Sequence, residues 1–318
     1  MWSRKKAGDK DCHVAMKVNI GASVKARLTK LAHELGREPM SILRLYAQER
    51  FLYRVSVSGF TDRFMLKGGL LLYGRYGFSI RPTVDIDVLF SGDLDERGPD
   101  IDMIREIAKI VHPDGITFIA DLIKPHGRES NRMGAPVRID IPWRFVGLNA
   151  SGSTILDVGV RDIVVPEPQM IDFPVLLEGF ASPKIAAYSI ETVISEKFDA
   201  MVSLGVMNSR MKDFYDIHQV LKRERIRGGT LQQAILTTFK ARGTKFEPCP
   251  AVFENQFGLE KDRTMRWEAF MESINDENGT SLEIVMGDIG KLIQPVYRSI
   301  IKKEGFALSW DNEVLRWT

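Results

Sequence analysis

Cysteine is scarce in this chain: Cys12 and Cys249 are the only two among 318 residues, far apart and without a second cysteine at metal-ligand spacing. That excludes a disulfide framework and a cysteine-based zinc site, and it fits a reducing compartment. No run approaches the ~18 apolar residues of a membrane span. The opening Met-Trp-Ser-Arg-Lys-Lys leads into polar residues rather than a signal core, so a cytoplasmic protein with no membrane partner is expected. An excess of one charge is also missing. The 44 basic and 42 acidic residues give a formal net charge of +2, which argues against a uniformly basic nucleic-acid coat but allows local patches. Low-complexity tracts and internal repeats are absent as well.

What is present has the balance of a globular protein, 44% hydrophobic and 27% charged. The length exceeds the roughly 100 to 200 residues of a typical domain, so packed units or one elaborated domain are expected. Residues 1–60 read as an N-terminal helical segment. One helix runs over 23–35, with Ser23 as N-cap and Gly36 as stop, and a second over about 40–54. From Phe64 the pattern changes to glycine-punctuated apolar runs, with strands over 83–90, 116–123 and 137–141; residues 61–180 read as an α/β core. Residues 181–318 read as a helical domain. Its helices cover about 190–204, 209–222, 230–240, 262–275 and 281–304, and the final residues say little. The fold class is α+β.

Chemistry enters at Arg81-Pro-Thr-Val-Asp-Ile-Asp87. In a strand, residues i and i+2 share a face, so Asp85 and Asp87 project together while Val84, Ile86 and Val88 face the core. Two carboxylates this close repel, and a hard divalent cation with oxygen ligands, magnesium first, relieves the repulsion. An isolated Asp-x-Asp is commonly no more than an acidic strand edge. Here Leu66-Lys67-Gly68-Gly69-Leu70 precedes it, a glycine pair opening a helix. Its backbone can approach a phosphate, and its unpaired N–H groups face an anion. Asp140, in the alternating Val137-Arg-Ile-Asp-Ile141, offers a third carboxylate.

The helical half adds Lys197, which lies within the apolar stripe of Val193, Ile194 and Met201. Its ammonium must snorkel out, pair with an acid or meet an anionic ligand such as a triphosphate. Arg210, Lys212, Asp213 and Asp216 follow on the next helix, Asp213 and Asp216 one turn apart. A solvated charged face would carry the same residues. His218 reads as a packed core histidine.

Four blocks in order, Arg63-Phe-Met-Leu-Lys-Gly-Gly69, Arg81 to Asp87, Glu196-Lys-Phe-Asp-Ala-Met201 and Asn208 to Asp216, resemble the AbiEii toxin family of nucleotidyltransferases, over about residues 18–221. The resemblance implies a polymerase-β-like nucleotidyltransferase core with appended helices, in the toxin of a bacterial toxin–antitoxin or phage-defence pair. It implies Asp85 and Asp87 as metal ligands, with Asp140 as the superfamily's third carboxylate, and a nucleotide-binding or catalytic role for Lys197 and Asp213. The superfamily's Gly-Ser loop is Gly68-Gly69 here, which leaves phosphate contact to backbone N–H groups.

The expected reaction is transfer of a nucleotide from a nucleoside triphosphate to an RNA acceptor, foremost the tRNA 3′ end, with a cognate antitoxin as partner. The phosphates would lie on Gly68-Gly69, with Lys67, Arg81 and Lys197 offsetting their charge. Lys222, Arg223, Arg225, Arg227, Lys240, Arg242 and Lys245 could track RNA phosphates. Alternatives are adenylation of a small molecule such as an antibiotic, a catalytically silent scaffold, and a DNA-binding regulator, since Lys17-Val-Asn-Ile20 and two helices loosely resemble a ribbon-helix-helix unit.

Overall fold

The computed structural model describes residues 19–91, 99–126, 137–160, 162–254, 256–276 and 279–318. Helix α1 (Ile20–Glu34) starts ahead of Ser23 because Asn19 is its N-cap, accepting a hydrogen bond from the Ala22 N–H at 3.1 Å. Gly21 fixes this start by contact: a Cβ there would lie 2.2 Å from the Val146 carbonyl oxygen. Helix α2 (Pro39–Ser56) opens with Pro39 behind a Glu38 cap that accepts from the N–H groups of Met40 and Ser41.

Almost every residue of α2 from Ile42 to Val55 is buried, including Glu49, Arg50 and Arg54. Arg54 forks onto the buried Asp114 at 2.8 and 3.2 Å, and the Glu49–Arg50 pair closes at 2.7 Å. Charges so enclosed persist only when paired. The α2 surface is thus committed to the core. Of the ribbon-helix-helix stretch, Lys17 and Val18 lie outside the described residues.

Strand β1 (Phe64–Leu66) leads into α3 (Gly68–Tyr76), then β2 (Asp85–Phe90), α4 (Ile101–Lys109), β3 (Ile116–Phe118), β4 (Lys124–Pro125), β5 (Val137–Phe145), β6 (Ser151–Gly159), β7 (Gln169–Asp172) and β8 (Lys184–Ala187). These strands form one sheet in the order β3-β5-β6-β2-β1-β8-β7, with β4 on β5. Pairs β2·β6 and β1·β8 are parallel and the others antiparallel. Ile86, Val88, Ile139, Ile141, Leu156 and Val158 supply its buried face. The strand expected over 116–123 stops at Phe118, and a short 3-10 turn, Ala120–Leu122, follows. The sheet also runs past residue 180, since β8 pairs with β1.

Beyond the sheet come α5 (Ile190–Leu204), α6 (Met211–Leu221), β9 (Ile226–Arg227), α7 (Gly228–Arg242), α8 (Lys261–Ser273), α9 (Leu282–Lys302), β10 (Ser309–Asp311) and β11 (Arg316–Trp317). Phe198, Phe239, Phe253 and Tyr297 interlock between α5, α7 and α9 with ring centroids 5.5 to 6.2 Å apart. Strands β9, β10 and β11 form a small antiparallel sheet. From it the Trp310 indole donates to the Leu221 carbonyl at 2.8 Å, and the Asn312 amide donates to that of Lys222 at 3.3 Å, satisfying orphan carbonyls at the end of α6. Among the described residues no helix is long and apolar enough to cross a membrane.

Candidate active site

The parallel register of β2 on β6 sets Asp87 beside Asp157 and Asp85 beside Ile155. Asp85 and Asp87 are half-buried on one face, while Ile86 and Val88 are sealed on the other. Burial, and then the Asp87 charge, push the carboxyls of both Asp85 and Asp157 above the usual carboxylate range. Arg138 on β5 stands between them, 3.6 Å from Asp85 and 3.3 Å from Asp157.

The expected third carboxylate is corrected by this register. Asp140 pairs across β6 with Ile155, so a whole strand separates it from Asp85, and it bonds His126 Nδ1 at 2.7 Å. The acid brought beside Asp87 is Asp157.

Helix α3 begins against these carboxylates. The Lys67 N–H donates to the Asp87 carbonyl at 2.9 Å, and Gly68 takes φ +64°, open to glycine with little strain. A Cβ on Gly68 would lie 2.0 Å from Asp87 Oδ2, and one on Gly69 2.9 Å from Thr83 Oγ1. The Lys67 side chain does not cap the first turn of α3, so among the described residues its N–H groups are left to a ligand.

The helical half closes the other wall. Lys197 on α5 bonds Asp213 at 2.7 Å and Asp216 at 2.8 Å, both from α6. Arg81, just before β2, forks onto Asp216 at 2.8 and 2.7 Å, and Arg210 pairs with Asp213 at 2.7 Å. Of the three fates open to Lys197, the structure has it paired with acids. Burial opposes its charge, but Asp213 and Asp216 hold the ammonium above its usual range. Burial likewise raises Asp216, and Lys197 with Arg81 outweighs it, leaving that carboxyl below its usual range.

A second ionic group was not read from the sequence. Lys67 bonds Asp162 at 2.8 Å and Glu196 at 3.3 Å, and Arg242 reaches Asp162 at 3.0 Å, Glu196 at 3.1 Å and Asp199 at 3.4 Å. Asp162 is held down to about 2: burial raises it, but Lys67 and Arg242 prevail. Burial lifts Glu196. Lys67 and Arg242 are therefore tied to acids before any ligand arrives. Lys222, Arg223, Arg225, Arg227, Lys240 and Lys245 are exposed, and Arg223 stacks over Tyr76 at 5.6 Å. His218 is buried and bonds Asp288 at 3.2 Å, as a core histidine does.

Lys67, Gly68, Gly69, Arg81, Asp87, Asp157, Lys197 and Asp213 all line one cleft of about 670 Å³, whose remaining walls include Asp162, Glu196, Arg210 and Arg242. That is the size class of small-ligand sites. Among the described residues no three His, Cys, Asp or Glu side chains form a ready-made metal cage. Asp85, Asp87 and Asp157 nonetheless suit a hard divalent cation, since each offers carboxylate oxygens and all three repel one another.

Two solved structures are similar in outline. A candidate nucleotidyltransferase from H. pylori aligns at 15% identity with TM-score 0.49, over 82% of this chain and 97% of its own. JHP933 from Helicobacter pylori aligns at 14% identity with TM-score 0.48, over 84% of this chain and 95% of its own. No curated protein matches the chain. The family model of the nucleotidyl transferase AbiEii toxin of type IV toxin–antitoxin systems matches residues 50–287, a span that holds every residue of the cleft. The chain belongs to that toxin family, the AbiEii nucleotidyltransferases.

Proposed function

We propose that the protein transfers a nucleotidyl group from a nucleoside triphosphate to a hydroxyl on RNA, foremost the tRNA 3′ end, with magnesium held by Asp85, Asp87 and Asp157. As a nucleotidyltransferase of a toxin–antitoxin family it is a transferase with an antitoxin partner; donor, acceptor and metal are the finer reading. The observation that carries it is the contact of the diglycine turn with Asp87, which joins a phosphate-binding helix start to the acidic strand.

The triphosphate lies on the N–H groups that open α3, with Lys197 and Arg81 along its flank. Both cations are fixed by Asp213 and Asp216, so little reorganisation is needed when phosphate arrives. When bound, the divalent cation supplies charge neutralisation for the phosphates and lowers the cost of ionising the acceptor hydroxyl. Asp157, set beside Asp87 by the strand register, accepts the hydroxyl proton. The acceptor oxygen forms a bond to the α-phosphorus as the bond to the bridging oxygen breaks, and pyrophosphate leaves. Lys67, tied to Asp162 and Glu196, lines the same cleft beside the turn.

The test is incubation with each of the four labelled nucleoside triphosphates, with magnesium or a chelator, and either bulk RNA, transfer RNA or an aminoglycoside. Label on RNA, gained only with metal and located by mass analysis at the 3′ end, is the expected result. Label on the aminoglycoside alone selects the small-molecule alternative.

A further inference from the structure

Lys67 is the residue from which α3 starts, and its main chain and side chain are both held. Its N–H donates to the Asp87 carbonyl at 2.9 Å, and its carbonyl accepts from the Leu71 N–H at 3.4 Å, opening the helix. Its ammonium is bound by Asp162 at 2.8 Å and Glu196 at 3.3 Å. Separate stretches of chain supply this grip. Asp162 follows β6, the strand of Asp157, and Glu196 lies on α5 next to Lys197. Tyr188, between β8 and α5, sets its ring 5.3 Å from the ammonium. Gly159 keeps room for it at the end of β6, where a Cβ would lie 3.1 Å from Lys67 Nζ. Arg242, at the end of α7, bonds the same two acids at 3.0 and 3.1 Å.

A lysine beside a phosphate-binding turn can touch the phosphate or hold the turn. The side chains of Lys67, Asp162 and Glu196 are only 15 to 16% exposed. Drawing the ammonium out to a phosphate would break both ion pairs and leave two largely buried acids short of a cation, a costly step. The N–H groups of Gly68 and Gly69 follow Lys67 directly in the chain, so wherever its side chain is pulled, they turn with it. We infer that Asp162 and Glu196 are positioning residues for the triphosphate: acting through Lys67, they hold the diglycine turn with its N–H groups toward the cleft, and Lys67 keeps these acids when nucleotide binds. This rests on the reading of the protein as a nucleotidyltransferase whose donor phosphates lie on that turn.

The sign of one substitution separates the two roles. Asp162→Asn removes a negative charge from a cleft that takes a polyanion, so simple attraction, or a Lys67 released to reach phosphate, gives tighter binding. Positioning gives weaker binding.

The full chain, with magnesium, is titrated calorimetrically with inorganic triphosphate and with the α,β-methylene analogue of each of the four nucleoside triphosphates. Asp162→Asn and Glu196→Gln are each expected to weaken both kinds of ligand about tenfold, and Asp162→Glu to recover most of that loss. Thermal melts remain cooperative, since in Asp162→Asn Lys67 keeps Glu196 and Arg242 keeps Asp199. In turnover with transfer RNA, KM for the triphosphate rises by a similar factor while kcat stays within about threefold. Adding Asp162→Asn to Lys67→Met has no further effect on triphosphate binding, because Asp162 acts through Lys67.

Unchanged or tighter triphosphate binding by Asp162→Asn overturns the inference and leaves the function intact. Additive losses in the double variant also overturn it. So does a weakening confined to the nucleotide analogues, which would make Asp162 a reader of base or ribose. A parent that binds none of the four analogues sinks the functional reading itself, and this inference with it.

Discussion

Asp87 occupies space that any residue other than glycine at position 68 would claim: a Cβ there would lie 2.0 Å from Asp87 Oδ2. The diglycine turn and the acidic strand are consequently one device, and neither can be altered alone.

Gly68→Ala is expected to fold yet lose transfer. The new methyl must displace the Asp87 carboxylate, and a φ of +64° adds strain of about 1–3 kcal/mol. Loss of two or more orders of magnitude in kcat, with a thermal midpoint still well defined, is the expected outcome. Near-parental activity would show that Asp87 tolerates displacement.

The register makes Asp157 and Asp140 unequal. Asp157→Asn should lower transfer by about a hundredfold or more, as should Asp87→Asn, since each removes a charged oxygen from the reacting centre. Asp140→Asn should lie within about threefold of the parent, because that side chain serves His126 a strand away. Calorimetric titration of magnesium adds a readout apart from turnover: Asp157→Asn weakens it and Asp140→Asn does not. The reverse ranking would restore Asp140.

Lys197→Met removes a cation from two acids whose side chains are 1% exposed. Stranding a buried charge costs about 3–5 kcal/mol, and the lower end applies because Arg81 and Arg210 remain. Urea unfolding measures it. Nucleotide binding should fall in parallel, and a variant as stable as the parent would place Lys197 outside the fold's needs.

The same pair sets a pH dependence at both ends. Asp216 is depressed, so its contribution is complete above the unfolded carboxylate value of about 3.9 and is lost as pH falls through the lower folded value. Lys197 is raised, so its contribution is complete below about 10.4 and is lost as pH rises through the higher folded value. Urea midpoints should fall below about pH 4 and above about pH 10. Asp216→Asn should be less stable at pH 6 and show a shallower acid limb; an unchanged limb would assign acid sensitivity elsewhere.

Arg54→Met tests the interior tie. It leaves Asp114 buried without its fork, and a loss of about 3–5 kcal/mol in urea unfolding is expected. Transfer per folded molecule should be unaffected, since neither residue lines the cleft.

What could be read from the chain follows the range of the physics. Helix α5 was legible because its stripe, its Ser189 cap and the Gly205 stop all lie within its own sequence. The pairing of Asp85 with Asp87 was legible because strand periodicity is local. The start of α1 was not: Asn19 and Ser23 can both cap, and the choice falls to Gly21 packing on Val146 across the fold. Asp140 and Asp157 each alternate with buried apolar neighbours, so their strands look alike, and only the position of β6 between β2 and β5 separates them. Asp162 sits between strands with no periodic signal, so its grip on Lys67 was invisible.

The bond from Trp310 to Leu221 joins two stretches of chain synthesised far apart. A translation product ending before Ser309 would already contain every acid and base of the cleft, yet α6 would lack the strand that anchors its far end. The far end of α6 is therefore closed only by sequence made about ninety residues after it, so the helix that carries Asp213 and Asp216 takes its final anchor last.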